Sequence, residues 1–337
     1  MKINIWKVFG ILLIIFIDGV KAQKTVEQYK IDSLIYIHKS IEFKKDTINF
    51  LEIAKPSVHQ EKKDLIFFLQ GSDPSPLISE DDNGKFLLLP FDLKELSDNT
   101  VFVIISKPKI PVYQHFKDLD DHFKIDDQKI LTEYMKRNTL EYLADEVNVL
   151  VRKYSRHNRI KNIYVIGHSQ GGRIASHIKK NRVKKMAVLS VNLLGRYEES
   201  INKLRYEEIS KQDSLVNNKI EKEYKSFGIL KGRKTFNNTF EDLSLKSYKT
   251  FTFPSTFNQI LKTEIPVLVV YGTNDIGVCL TNDIVRLPLM EKNKKNIHFK
   301  TYPLLNHNFE KRNPGTNENE THWQRVLKET IIWLKKD

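Results

Sequence analysis

The stretch Ile163-Tyr164-Val165-Ile166-Gly167-His168-Ser169-Gln170-Gly171-Gly172 decides how the rest of the chain is read. An apolar run stops at a glycine, a serine stands between Gly167 and Gly171, and a helical pattern begins behind it. A strand, one serine on a strained turn and a following helix make a G-x-S-x-G nucleophile elbow. The glycines have a steric task. The serine backbone is forced into a conformation that L-residues avoid, and side chains two positions away on either side would collide. The plainer alternative is a glycine-rich turn whose serine caps a helix.

Working outward, strands and helices alternate. Ile41–Ala54 reads as a hairpin turning near Lys45-Asp46, although Leu51 breaks strict alternation. Leu65–Leu69 and Val101–Ile105 are short, continuously apolar runs of the kind found in doubly buried strands. Thr139–Tyr154 places Leu140, Leu143, Val147, Leu150 and Val151 at helical spacing. After the elbow come a helix over Gly171–Lys180, strands at Met186–Val191, Val267–Tyr271 and, more weakly, Ile297–Tyr302, and an amphipathic helix over His322–Leu334. This rhythm predicts an α/β fold, a mostly parallel sheet with helices on both faces.

Two stretches interrupt it. Pro108–Asn138 is long and irregular and lies beyond the carboxyl end of a strand, where such sheets bind ligands. Leu193–Thr263 separates two core strands with charged, helical sequence over Glu198–Phe227 and loop-like sequence over Gly228–Thr239. Connections of this length inside a domain are functional or disordered, and a cap or lid over the site is the expectation. Its aromatics, among them Tyr206, Tyr224, Phe227, Phe236, Phe240, Phe251, Phe253 and Phe257, are read as the small core of that cap rather than as a substrate pocket.

A serine hydroxyl is a weak nucleophile and needs a base in hydrogen-bond reach, itself oriented by a carboxylate. In elbow-bearing chains the order is Ser, then Asp or Glu, then His. Here Pro266–Tyr271 runs into Gly272-Thr273-Asn274-Asp275, and Lys300–Leu305 runs into Asn306-His307. Asp275 and His307 thus fall on loops at the carboxyl ends of successive strands. Asp283 is the fallback acid, inside an expected helix, and His322 the competing base, at the start of the last helix. His168 adjoins the serine but is assigned to packing. For an oxyanion hole, one backbone N–H comes from Gln170 and the other from Gln70-Gly71-Ser72-Asp73-Pro74, with Ser72 favoured. Asp73 is unusual beside such a hole and is expected to turn outward, onto a helix end or a cation.

In order and spacing, Leu69-Gln70-Gly71-Ser72, Gly167-His168-Ser169-Gln170-Gly171, Gly272-Thr273-Asn274-Asp275 and Asn306-His307 resemble the α/β-hydrolase superfamily, from about Ile41 to Leu334 apart from the insertion. The resemblance implies a mostly parallel eight-stranded sheet, a Ser169–His307–Asp275 triad, and no cofactor or metal. One departure stands out: the usual His-Gly ahead of the oxyanion residue is Gln70-Gly71 here. Cleavage of carboxylic esters is the leading expectation, with a peptidase or thioesterase of the same fold, or a non-catalytic binding protein on this scaffold, as alternatives.

The chain has 337 residues, 40% hydrophobic and 29% charged, with a formal net charge of +13. The basic runs are short, scattered and free of interleaved aromatics, so a solvated lysine-rich surface is expected and no nucleic-acid partner. An envelope protein that binds anionic polymer is the remaining basic-protein alternative. Residues 1–22, with Lys2 and Lys7, an apolar Val8–Ile17 and Val20-Lys21-Ala22, read as an export signal cleaved after Ala22. Exported location, periplasmic or extracellular, and no membrane span in the mature chain follow. The core is then expected over 23–192 and 264–337, with the insertion at 193–263. Cys279 is the only cysteine, so no internal disulfide forms, and it is read as a small buried hydrophobe. A small-molecule or acyl-ester substrate is the expected partner.

Overall fold

In the computed structural model, which describes residues 24–31, 34–55, 62–232, 239–240, 243–316 and 318–336, the apolar runs pair into one large sheet. Its strands are β1 (Lys24–Ile31), β2 (Leu34–Phe43), β3 (Asp46–Ala54), β4 (Lys63–Leu69), β5 (Thr100–Ile105), β6 (Ile160–His168), β7 (Lys185–Leu189), β8 (Val267–Gly272) and β9 (Ile297–Tyr302). Their spatial order is β1-β2-β3-β5-β4-β6-β7-β8-β9. The six strands β5-β4-β6-β7-β8-β9 are parallel, while β1, β2 and β3 form an antiparallel meander joined to β5. The sheet therefore has nine strands where eight were expected. The hairpin starts earlier, at Leu34, and β1 is added at its edge with only Tyr29 and Ile31 buried, too weak a pattern to read as a strand. The expected export signal lies outside the described residues.

Both faces of the parallel strands are covered, which explains their unbroken apolar sequence. Leu65, Phe67 and Leu69 face a core shared with helices α2 (Leu140–Tyr154), α3 (Gln170–His177) and α8 (Ile276–Glu291). Ile66 and Phe68 face the other side, against α9 (Trp323–Lys335) through Trp323, Val326 and Leu327. Each of these fully buried strand side chains contributes about 1.5–3 kcal/mol of apolar burial.

The segment after β5 is less irregular than its sequence reads. It contains a short strand, Tyr113–His115, and helix α1 (Gln128–Arg137), whose N-cap Asp127 accepts from the N–H groups of Lys129 and Ile130. Between β7 and β8 lie helices α4 (Arg196–Lys211), α5 (Val216–Gly232), α6 (Leu245–Thr252) and α7 (Thr256–Leu261). The helical reading from Glu198 divides in two at Gln212, which is left-handed (φ 53°). Helix α5 then runs on past Gly228, where a loop was expected. Leu230 is fully buried against the small core of Tyr197, Leu245 and Tyr248, which outweighs the roughly 1 kcal/mol that a mid-helix glycine costs. Phe227 and Phe253 join this core, Phe251 and Phe257 belong to the main one, and Tyr206 and Tyr224 are exposed; the side chains of Phe236 and Phe240 lie outside the described residues. Among the described residues, no helix is long and apolar enough to cross a membrane.

Strand order fixes where a site can form. Strand β4 lies between β5 and β6, so the connections leaving β4 and β6 diverge and open a crevice at their carboxyl ends. The Gln70-Gly71-Ser72 loop and Ser169 stand on either side of that crevice.

Candidate active site

Ser169 occupies a turn with φ 52° and ψ −117°, between the last residue of β6 and the first of α3. For a non-glycine residue this is a strained conformation, held here by its surroundings. The Ser169 N–H donates to the Leu189 carbonyl (2.9 Å), and its own carbonyl accepts from Gly172 (3.1 Å). A Cβ on Gly167 would lie 2.3 Å from the Gly171 carbonyl oxygen, and one on Gly171 would lie 2.0 Å from that of Leu69. The two glycines are therefore demanded by packing as well as by the turn.

The Asp275 and His307 loops meet beside it. His307 Nδ1 and Asp275 Oδ2 are 2.7 Å apart, with the Asp275 side chain almost fully buried and His307 about one-third exposed. Asp275 sits at the N-cap position of α8, yet its side chain makes no capping bond. The carboxylate reaches the imidazole instead, and His307 lines the same cavity as Ser169. The His307 loop is held by Asn306, whose Oδ1 accepts from the N–H groups of Asn308 and Glu310 (both 2.9 Å). Leu304 and Phe309 on either side have positive φ (63° and 52°), so the chain doubles back tightly.

His168 does more than pack. Its Nε2–H donates to the His307 carbonyl (3.0 Å), and its ring lies edge-on to Trp323 at 4.8 Å between centroids. Burial, and then the neighbouring His307, push its pKa down to about 3, so it stays neutral and serves as a fixed donor that positions the His307 loop. The fallback candidates lie elsewhere. Asp283 is inside α8, accepting from the Tyr271 hydroxyl (2.5 Å) and from Cys279 Sγ (3.4 Å), and His322 is the N-cap residue of α9. Burial, then the Asp283 carboxylate, push the Cys279 thiol up to about 11.

Gln170 is the first residue of α3, so its N–H belongs to the opening amides that have no acceptor within the helix. Ser72 faces it across the crevice, with its carbonyl accepting from the Tyr134 hydroxyl of α1 (3.1 Å). Asp73 is exposed and turned to Lys124 Nζ (2.9 Å), the cationic partner expected for it. The Pro74 carbonyl accepts from Ile125 N (3.1 Å), so the segment after β5 braces this loop.

A group that sequence reasoning missed lies behind Gln170. Lys107, two residues beyond β5 and buried, donates from Nζ to Gln170 Oε1 (2.8 Å), and Gln170 Nε2 donates to Asn138 Oδ1 (3.1 Å). Burial pushes Lys107 down to about 8, against the charges of Asp73 and Glu146. Glu146 in α2 is itself driven well above the ordinary carboxylate range, first by burial and then by Asp46. Lys107-Pro108 reads in sequence as a strand end, and nothing local marks the lysine as buried.

Ser169 opens onto two cavities. One, of about 680 Å³, is lined by the Gln70–Asp73 loop, His168, His307 and Trp323. The other, of about 430 Å³, lies under the helical insertion and includes Ser72, Ser169, Arg173, Arg196 and Lys203. Among the described residues no group of three or more His, Cys, Asp or Glu side chains is placed to hold a metal ion.

No protein-family model and no curated protein matches this sequence. Solved structures do. The chain is similar to an acylaminoacyl peptidase in complex with Z-Gly-Gly-Phe-chloromethyl ketone, at TM-score 0.56 and 11% identity over 93% of this chain and 42% of that one. It is similar to the uncomplexed acylaminoacyl peptidase of Pyrococcus horikoshii at TM-score 0.55 and 12% identity, over 91% of this chain and 42% of that one. Est1E from Butyrivibrio proteoclasticus with ferulic acid bound matches at TM-score 0.51 and 14% identity, over 88% of this chain and 98% of that one. The chain spans about two-fifths of the length of the peptidases it matches. At such identities the likeness is one of architecture, and that architecture is the α/β-hydrolase fold.

Proposed function

We propose that this chain is an exported serine hydrolase that cleaves carboxylic esters through an acyl-enzyme on Ser169. The observation that supports it best is the meeting of a strained, cavity-facing Ser169 with a His307 whose Nδ1 is already bonded to a buried Asp275. In this reading Ser169 Oγ attacks the ester carbonyl while His307 Nε2 takes its proton. The oxyanion that forms is held by the N–H groups of Gln170 and Ser72. Collapse of the tetrahedral adduct breaks the bond to the alcohol, which leaves with the proton from His307. Water then attacks the acyl-enzyme by the same route, its proton passing through His307 to Ser169 as the acid departs. Asp275 keeps the imidazole in the tautomer with hydrogen on Nδ1. Residues 193–263 act as a cap over the nucleophile, and residues 1–22 as the export signal.

The test is labelling of the mature protein with a fluorophosphonate, wild type against Ser169→Ala, with the modified peptide located by mass spectrometry. Stoichiometric adduct on Ser169 in the wild type alone is expected, followed by turnover of simple esters in preference to anilides and thioesters. A folded wild type that stays unlabelled and hydrolyses none of them would put a non-catalytic binding role in its place. Preference for anilides would assign it to the peptidases.

A further inference from the structure

The cavity of about 430 Å³ under the insertion has a charge pattern that the ester chemistry does not require. Three cations line it, Arg173, Arg196 and Lys203, with two carboxylates, Glu199 and Glu223. Both carboxylates are engaged. Glu199 accepts from Lys203 Nζ (2.7 Å) and lies 3.7 Å from Arg173 Nη2, while Glu223 accepts from the Ser200 hydroxyl (3.0 Å). Arg173 is spoken for on its other side as well, donating from Nη1 to the Phe251 carbonyl (3.0 Å). Glu198 adds to the field felt by Arg173, but its side chain lines the separate groove between α4 and α8.

Arg196 is different. It is half-buried at the first turn of α4, its guanidinium carbon 4.1 Å from the centre of the Tyr248 ring. Among the described residues no carboxylate is within ion-pair distance of it. Stacking on an aromatic face occupies the flat side of a guanidinium and leaves the N–H groups at its edge free to grip a carboxylate with two parallel hydrogen bonds. The group is also held in place. Asn202, two turns along α4, donates to Thr281 Oγ1 of α8 (2.7 Å), and Asn192 donates to the Gly277 carbonyl (2.7 Å). The helices approach so closely that a Cβ on Gly277 would stand 2.8 Å from the Glu199 carbonyl oxygen. Helix α4 is thus locked to the start of α8, next to Asp275, and its cations stand at a fixed place relative to Ser169.

We infer that Arg196, backed by Arg173, anchors a carboxylate carried by the substrate, so that the preferred esters are anionic ones. This deepens the reading of Ser169 as a nucleophile and rests on it. A neutral substrate would leave a partly desolvated guanidinium facing an empty cavity, whereas an anionic one supplies the missing partner.

Two pairs of esters test the idea, one for each side of the scissile bond. On the acyl side, 4-nitrophenyl hydrogen glutarate is compared with 4-nitrophenyl pentanoate; on the alcohol side, 4-carboxyphenyl acetate with phenyl acetate. In one pair the wild type is expected to favour the anionic ester in kcat/KM, and Arg196→Gln to lower that preference about ten- to hundredfold, chiefly through KM. Arg196→Lys should restore part of it. Thermal unfolding of each variant reports whether the fold is kept. A wild type that hydrolyses both members of each pair equally, or an Arg196→Gln variant that keeps the full preference, overturns the inference while leaving the hydrolase reading intact. If Ser169 takes no fluorophosphonate and no ester turns over, the hydrolase reading is the one that fails. Calorimetric binding of glutarate then decides for the anion site: binding to wild type that Arg196→Gln loses supports it, and no binding to either overturns it.

Discussion

The loops at the carboxyl ends of β4, β6, β8 and β9 and the helical insertion that faces them are held in place by different means. The loops are locked by backbone. Ser169 sits at φ 52°, Gly167 and Gly171 have carbonyls where a side chain would start, and Leu304 and Phe309 turn the chain at positive φ on either side of His307. The insertion is held by side chains: Tyr197, Leu230, Leu245 and Tyr248 form its small core, and Asn202 ties α4 to Gly277 and Thr281 of α8. Backbone geometry tolerates almost no substitution, whereas a side-chain-built layer can change residue by residue. If the chain is the hydrolase proposed above, the difference would put bond-making in the first region and choice of substrate in the second.

Four substitutions would break or sharpen this contrast. The largest effect on turnover should come from Asp275→Asn, about 10⁴-fold in kcat with little change in KM, because the imidazole is then held in the wrong tautomer. Steady-state kinetics on a neutral ester would show it; a loss below tenfold would mean that Asp275 only closes a turn. Gly171→Ala comes next, with loss of about 3 kcal/mol in urea unfolding, the upper end of what overpacking costs, since its Cβ would stand 2.0 Å from the Leu69 carbonyl oxygen with only backbone to yield.

Lys107→Met should slow turnover by roughly ten- to a hundredfold, because it removes a buried positive charge one side chain behind the Gln170 N–H. The pH profile separates this from mere loss of packing. Lys107 is cationic below about 8, so the wild-type rate should fall as pH rises through that value, and the variant should lack the step. Stability runs the other way. Above about 8 the folded state gives up a proton that the unfolded chain keeps until 10.5, so this lysine should add about 3 kcal/mol of stability across that interval. Urea unfolding of wild type and variant as a function of pH measures it. The smallest effect belongs to the insertion. Nothing stands within 4 Å of a Cβ built on Gly228, so Gly228→Ala should stabilise α5 by about 0.5–1 kcal/mol and leave kcat unchanged.

Strong local signals carried the core of the reading. The doubly buried strands are legible because both faces demand apolar residues, and the elbow because its glycines leave few other conformations. Asp275 and His307 could be named because each follows an apolar strand directly, so the strand end sets the loop position. What was missed had weak or absent local signals. Strand β1 buries two side chains and owes its place to pairing with β2. The first turn of α5 beyond Gly228 survives through the burial of Leu230, a contact with residues distant in sequence. The bond from His168 to the His307 carbonyl joins positions 139 residues apart, so the sequence around His168 carries no sign of it.

By itself, then, the sequence determined the alternation of strands and helices, the serine turn, and the order of the candidate acid and base, because each depends on residues that are near neighbours in the chain. Only the tertiary structure decided which polar side chains meet: Lys107 behind Gln170, His168 beneath His307, and Arg196 stacked on Tyr248 over the cavity that opens at Ser169. The physical reason is that burial turns an ordinary surface lysine or arginine into a fixed electrostatic element, and burial is set by packing among distant parts of the chain.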